Sequence, residues 1–304
     1  MKLLIAGFGD LGRTLAQTCQ VTAKWEQASI LAIKRQPPAQ SQPSSDQIAW
    51  LKADLSDPDS LNKIASQIED VTHIVYCAAP NERSEGAYRA TYLTGLQNLV
   101  MLFKARVSAP ITSELTKTGR TNTHRLPQLL FVSSTAVYDS QAQGRFDESS
   151  ATEPRRFNGK LLLEAESWLL ANWSGALVLR LSGIYGPSKQ GLLSSIANGT
   201  TTLPASPHYI ANRIHIEDAA RAILYLFDHH HEGIFIGTDS HPMALDDLYR
   251  QLAKMLKAAE PALGEPSPMM GKKQLSNQKL LSTGFELKWP DCIRGYEALI
   301  GQNK

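Results

Sequence analysis

Cysteine is scarce. Cys19, Cys77 and Cys292 are the only three in 304 residues, too few and too scattered for a disulfide framework or a zinc site. Cys77 closes an apolar run and is expected to behave as a small buried hydrophobe. A reducing, cytoplasmic setting suits this usage. Long apolar stretches are missing too: none approaches the about 20 residues that cross a bilayer, so no membrane association is expected. The opening Met1–Ala6 begins like a leader, but Asp10 and Arg13 follow too soon. An excess of one charge is also absent. Lys and Arg number 31 against 29 Asp and Glu, a formal charge of +2. No basic run offers the face that nucleic acid requires. No internal repeat is visible.

What is present describes a globular chain. With 42% hydrophobic and 20% charged residues, it is long enough for one large α/β unit or two lobes. Short apolar runs at Leu3–Ala6, Ile30–Ile33, Ile48–Leu51, His73–Cys77, Leu129–Val132 and Leu177–Leu179 alternate with helical patterns. The helical patterns are Leu11–Val21, Ser60–Ile68, Gly86–Arg106 and Phe157–Asn172, with Asp57-Pro58 as cap and first-turn proline for the second. Strands that are apolar without strict alternation, separated by helices, predict a doubly wound parallel sheet. Pro37–Gln47 reads as an exposed loop. The polar segment Val107–Pro127, about 20 residues, is longer than the usual connection and reads as a disordered insertion, with a mobile flap as the alternative. Beyond Arg180 the elements shorten. Ile214–Phe227 reads as a strand end entering a helix, Gly233–Gly237 as a strand and Pro242–Lys257 as a helix, with a loop at Met269–Met270 before a helical tail. The expected division is a dinucleotide-binding domain over 1–181, with a return segment at about 211–237, and a smaller interleaved substrate lobe over 182–210 and 238–304.

The N-terminal turn carries the most specific signal. Gly7-Phe8-Gly9-Asp10-Leu11-Gly12 follows the first strand and opens the first helix. In such a turn the first glycine permits the sharp bend and the second lets backbone approach a pyrophosphate. The third allows close helix–strand packing. The helix N-terminus then presents free N–H groups and positive dipole to the phosphates. An NAD site places an acid about 20 residues further on, where it binds the ribose 2′-hydroxyl. Here Ile33 is followed by Lys34 and Arg35 instead. Two cations suit a 2′-phosphate, which Arg can hold bidentately, so NADP(H) is the favoured cofactor and NAD the alternative.

Later segments resemble the extended and atypical short-chain dehydrogenase/reductases, the group of NAD-dependent epimerase/dehydratases. Ala53-Asp54-Leu55-Ser56-Asp57 is similar to the family segment after the third strand. Tyr76-Cys77-Ala78-Ala79 resembles the small-residue strand end that passes the cofactor. Phe131 to Tyr138 resembles the strand carrying the catalytic Ser/Thr, with Ser134 at the matching position. Leu179 to Pro187 and Arg213 to Ala220 complete the series in order. The resemblance implies a Rossmann-type fold and cofactor contacts at Asp54, Leu55, Ala78 and Ala79, besides the turn and the two cations. It further implies a small-molecule substrate whose oxygen is held by Ser134, and a homodimer through paired helices.

The family pairs a Tyr with a Lys four residues later. Aligned on Ala165-Glu166, this chain has Asn158 and Leu162 there; aligned on Lys160, it has Arg156 in the Tyr position. Asn cannot exchange a proton at useful pH, and Arg stays charged. Lys160 and Tyr138 are therefore the candidates to assist Ser134, with Arg156 and Glu164 behind them. His229-His230-His231 lacks metal-ligand spacing and reads as a helix-end loop. His215 is expected to organise the return segment, and Tyr92 to pack within its helix. Arg213 is open to two readings, contact with an anionic group or a surface ion pair. The leading expectation is an NAD(P)-dependent epimerase/dehydratase-like oxidoreductase for a small carbonyl, hydroxyl or sugar-nucleotide substrate. The alternative is a non-catalytic NADP(H) sensor or scaffold.

Overall fold

The computed structural model describes residues 1–38, 48–107, 126–204, 209–265 and 271–302. Most of the expected loop at 37–47, the insertion at 107–127 and the loop at 269–270 lies outside these residues.

The first strands form where the apolar runs predict them. They are β1 (Lys2–Ala6), β2 (Ser29–Lys34), β3 (Ile48–Lys52), β4 (His73–Tyr76), β5 (Gln128–Ser134), β6 (Leu177–Leu181) and β7 (Gly233–Gly237). Together they make a seven-stranded parallel sheet in the order β7-β6-β5-β4-β1-β2-β3, the doubly wound arrangement that the alternation implies. In β1, Leu3 to Ala6 are fully buried, as expected of a strand covered on both faces.

Two compact units divide the chain: 1–131 with 164–177, and 132–163 with 178–304. In the first unit, helix α1 (Asp10–Val21) turns Leu15, Ala16 and Cys19 inward, the spacing of an apolar helical stripe. Asp57 accepts from the Asp59 amide and Pro58 opens the short helix α2 (Pro58–Asn62). The helix expected over 86–106 is not uniform. It runs as a short α segment, α3 (Glu85–Tyr88), then a π turn (Arg89–Thr94), then α4 (Gly95–Val107). The cause lies on β4, where the Tyr76 hydroxyl donates to the Thr91 carbonyl. The Gly95 amide reaches back to Ala90, the i to i+5 pattern of a π-bulge.

Helix α5 (Phe157–Asn172) begins in the second unit, and its third residue is constrained. A Cβ on Gly159 would stand 2.2 Å from the Ala136 carbonyl oxygen, so glycine alone fits beneath that loop. Helices α6 (Gly191–Ala197), α7 (Ile216–Asp228), α8 (Leu245–Leu256) and α9 (Gln278–Ser282) precede a terminal α10 (Cys292–Gln302). Leu245, Leu248, Tyr249, Leu252 and Ala253 form the buried stripe of α8, and they share a core with Cys292, Tyr296 and Leu299. The return segment Arg213–His215 pairs in parallel with Gly183–Tyr185. His215 caps α7 by accepting the Glu217 amide at its Nδ1. One turn on, the fully buried Asp218 carboxylate accepts from Arg221 and from the Lys288 and Trp289 amides. That segment is a folding device, as expected for His215.

Candidate functional site

A cavity of about 490 Å³ opens over the glycine turn, wholly within the first unit. The three glycines divide the work by geometry. Gly7 has φ +99°, and a Cβ there would stand 2.2 Å from the Ala78 backbone, so both conformation and space demand glycine. A Cβ on Gly12 would lie 2.9 Å from the Gly7 carbonyl and 3.2 Å from Ile5, which is the close helix–strand packing. Around Gly9 a Cβ would meet nothing within 4 Å. The middle glycine thus borders open space that a side chain would occupy, and that space lies at the start of α1. Gly9 caps this helix without a side-chain bond, and Asp10 and Leu11 form its first turn. The first amides of any helix lack intrahelical acceptors.

Of the turn residues expected from sequence, Gly7, Phe8 and Gly9 line this cavity, while Asp10, Leu11 and Gly12 are not among its wall residues. Lys34 and Arg35 leave β2 with exposed side chains and line it. Asp54, Leu55, Ala78 and Ala79 line it as well. Burial would raise the Asp54 pKa, but hydrogen bonds from the Ser56 hydroxyl and amide, with the Arg35 charge, hold it below the usual value. Cys77 is half-buried; its thiol donates to the Gly7 carbonyl and burial pushes its pKa up to about 12. It therefore serves the turn as a neutral group. Asn81, Glu82, Ala87, Ala90 and Thr91 also line the cavity. No local sequence pattern marks Thr91, which lies within the π turn.

A second cavity, of about 380 Å³, lies wholly within the other unit. Ser134 lines it from the end of β5. Its Oγ accepts from the Ala136 amide at 3.2 Å, so the hydroxyl keeps its proton for another acceptor. Asn158 and Arg156 line the same cavity. Tyr138 also contributes to the wall, yet its hydroxyl is spent: it donates to the Asp147 carbonyl and accepts from Arg180, both at 2.8 Å. Lys160 is exposed on the first turn of α5 and lines neither cavity. Ser134 and Tyr138 are thus brought together, and Lys160 is not among the wall residues. Leu162, the other register's counterpart, is buried.

Sequence reasoning missed the cavity's most buried charge. Lys273 is 8% exposed and lines the wall beside Asn212, whose amide bonds the Lys273 carbonyl and Leu275 amide. It arrives there because Lys273–Leu275 pairs with Gly144–Phe146. Arg213 lines the cavity too, donating to the Asn212 carbonyl at 3.4 Å, and none of the ion pairs described involves it. Tyr92 packs edge-on against Tyr88 and Phe131, consistent with a helix-packing role. His229 stacks on Tyr225 at the end of α7. Among the described residues no group of three or more His, Cys, Asp or Glu is placed to hold a metal ion, and no helix is long and apolar enough to cross a membrane.

The family model described as the NAD dependent epimerase/dehydratase family matches residues 3–236. Protein YeeZ of Escherichia coli K12 is 34% identical over 176 residues, covering 56% of this chain. The chain spans 61% of the length of that curated relative. A solved structure from Methylobacillus flagellatus, named for the NAD-dependent epimerase/dehydratases, is 31% identical with a TM-score of 0.75. It covers 99% of this chain and 98% of its own. Human epimerase family protein SDR39U1, solved with NADPH, has a TM-score of 0.74 at 16% identity, covering 99% of each chain; at that identity the likeness concerns the fold.

Proposed function

Since the chain belongs to the NAD-dependent epimerase/dehydratase family, we propose that it is an NADP(H)-dependent oxidoreductase or epimerase-type enzyme acting on a small carbonyl, hydroxyl or sugar-nucleotide substrate. The observation that carries the catalytic part is Ser134. Its oxygen is anchored by a backbone amide while its proton stays available, on the wall of a polar cavity.

The residues over the glycine turn fit a dinucleotide. Gly9 offers room for backbone to meet a pyrophosphate, and the start of α1 offers amides and dipole to its charge. Lys34 and Arg35 supply two exposed cations for a 2′-phosphate, which is the ground for preferring NADP(H). When bound, such a cofactor supplies or accepts a hydride. The chain's own part in the reaction begins with Ser134, which donates a hydrogen bond to the substrate oxygen and strengthens it as negative charge develops there. Tyr138, with its hydroxyl committed on both sides, holds the loop after β5 in place. Asn158 donates or accepts a hydrogen bond but moves no proton. Lys160, exposed and lining neither cavity, is given no part in the reaction.

Asn158 on the cavity wall also favours a second reading, a non-catalytic NADP(H) sensor. One experiment separates the two. NADPH with the protein and a panel of aldehydes, ketones and nucleotide sugars is followed by absorbance. The enzyme reading expects turnover with at least one compound, and a fall in kcat of about a hundredfold in Ser134→Ala. Tight NADPH binding with no turnover across the panel selects the sensor.

A further inference from the structure

The second cavity carries more positive charge than its walls balance. Lys273 is almost wholly buried. Among the described residues its ammonium makes one hydrogen bond, to the Tyr138 carbonyl at 3.5 Å, the outer limit for such a bond. The acid that acts on it is Asp139, and that carboxylate is held by Arg155 at 2.8 Å. Arg156 and Arg213 line the same cavity, and none of the described residues on its wall is Asp or Glu. Asp239 lies close enough to Arg213 for the two charges to interact, but burial raises its pKa to about 7, which weakens it as a counter-charge. A buried cation without a full partner is unfavourable, and burial pulls the Lys273 pKa down accordingly. An anion entering the cavity relieves that penalty.

We propose that this cavity binds an oxyanion, a carboxylate or phosphate group of a small molecule, with Lys273 and Arg213 as its charged ligands and Arg156 as a third cation. Naming this molecule as the substrate rests on the functional reading above; the binding itself needs neither cofactor nor turnover.

Calorimetric titration of the full chain, at fixed ionic strength, uses malonate and inorganic phosphate as separate probes. The expected result is saturable binding of at least one probe, weakened about tenfold or more in Lys273→Met and in Arg213→Gln. Lys273→Arg keeps the charge and holds affinity within about threefold. The probe that binds distinguishes carboxylate from phosphate. No saturable binding of either probe, or binding indifferent to both substitutions, overturns the proposal. Because a buried lysine variant can misfold, the unaltered chain gives a second measurement. Acetylation of Lys273 by acetic anhydride, read by mass spectrometry, is slowed by bound probe; unchanged labelling at saturation overturns the site. A protein that passes both measurements yet turns over nothing refutes the proposed reaction and leaves the anion site standing.

Discussion

Replacing Asp239 with asparagine isolates the contribution of a single buried carboxyl group. Asp239 follows the end of β7, is 1% exposed, and ties its backbone to the Arg213 carbonyl at 2.6 Å. Burial raises its pKa from 3.8 to about 7; the Cys292 thiol and the Arg213 charge offset only part of that rise. Between those two values the folded protein keeps a proton that the unfolded chain has released. The resulting stabilisation is fully present below about pH 4, declines as pH rises, and is gone above about pH 7. The gap corresponds to about 4 kcal/mol between the two ends of the window. Asparagine is neutral throughout and similar in shape, so it escapes the decline. Urea denaturation of both proteins at about pH 4 and about pH 8 provides the test. Subtracting the two curves removes other titrating groups. The expected outcome is near-equal stability at the lower pH and a variant more stable by up to about 4 kcal/mol at the higher. A difference that stays flat with pH refutes the reasoning, and so does one that favours the wild type as pH rises.

Three substitutions probe the nucleotide cavity. Gly7→Ala forces a side chain into a φ of +99° against Ala78 and is expected to lower stability by about 1–3 kcal/mol in chemical denaturation. Gly9→Ala meets no protein atom; it should leave stability within about 0.5 kcal/mol while weakening NADPH binding about tenfold or more, measured by fluorescence titration. Parallel losses of stability and affinity in both variants would contradict the division of roles. Arg35→Asp is expected to weaken NADPH by about tenfold to a hundredfold and NADH far less. Equal losses for the two cofactors remove Arg35 from the 2′-phosphate.

The glycine turn was legible because its constraints are local: six consecutive residues contain the bend, the approach and the packing contact. The same holds for Asp57-Pro58 and for the β-strands, whose apolar runs announce burial on both faces. Ser134 was found through resemblance, since a serine at a strand end has no distinctive spacing of its own. Lys273 was not found. Its burial follows from pairing with Gly144–Phe146, well over a hundred residues earlier in the chain, and nothing near Lys272-Lys273 signals that partner. Tyr138 misled in the opposite sense. Its place beside Ser134 in sequence suggested chemistry, while the Asp147 carbonyl and Arg180 claim its hydroxyl. Buried hydrogen bonds of this kind depend on tertiary neighbours, and a pattern of residue types does not encode them.

The π turn at Arg89–Thr94 converts chain length into rotation. An α-helix advances about 100° per residue, so the extra residue in this turn sets the angular phase of everything on its N-terminal side. Ala87 and Ala90 face the nucleotide cavity because of that phase. Deleting one residue between 89 and 94 would let an unbroken helix run through, with the Tyr76 hydroxyl robbed of its acceptor. The upstream segment would swing about 100° around the axis and carry both alanines away from the wall. A one-residue deletion in an exposed loop changes only slack; here the same edit would re-aim one side of a binding site while leaving the helix content of the protein almost unchanged.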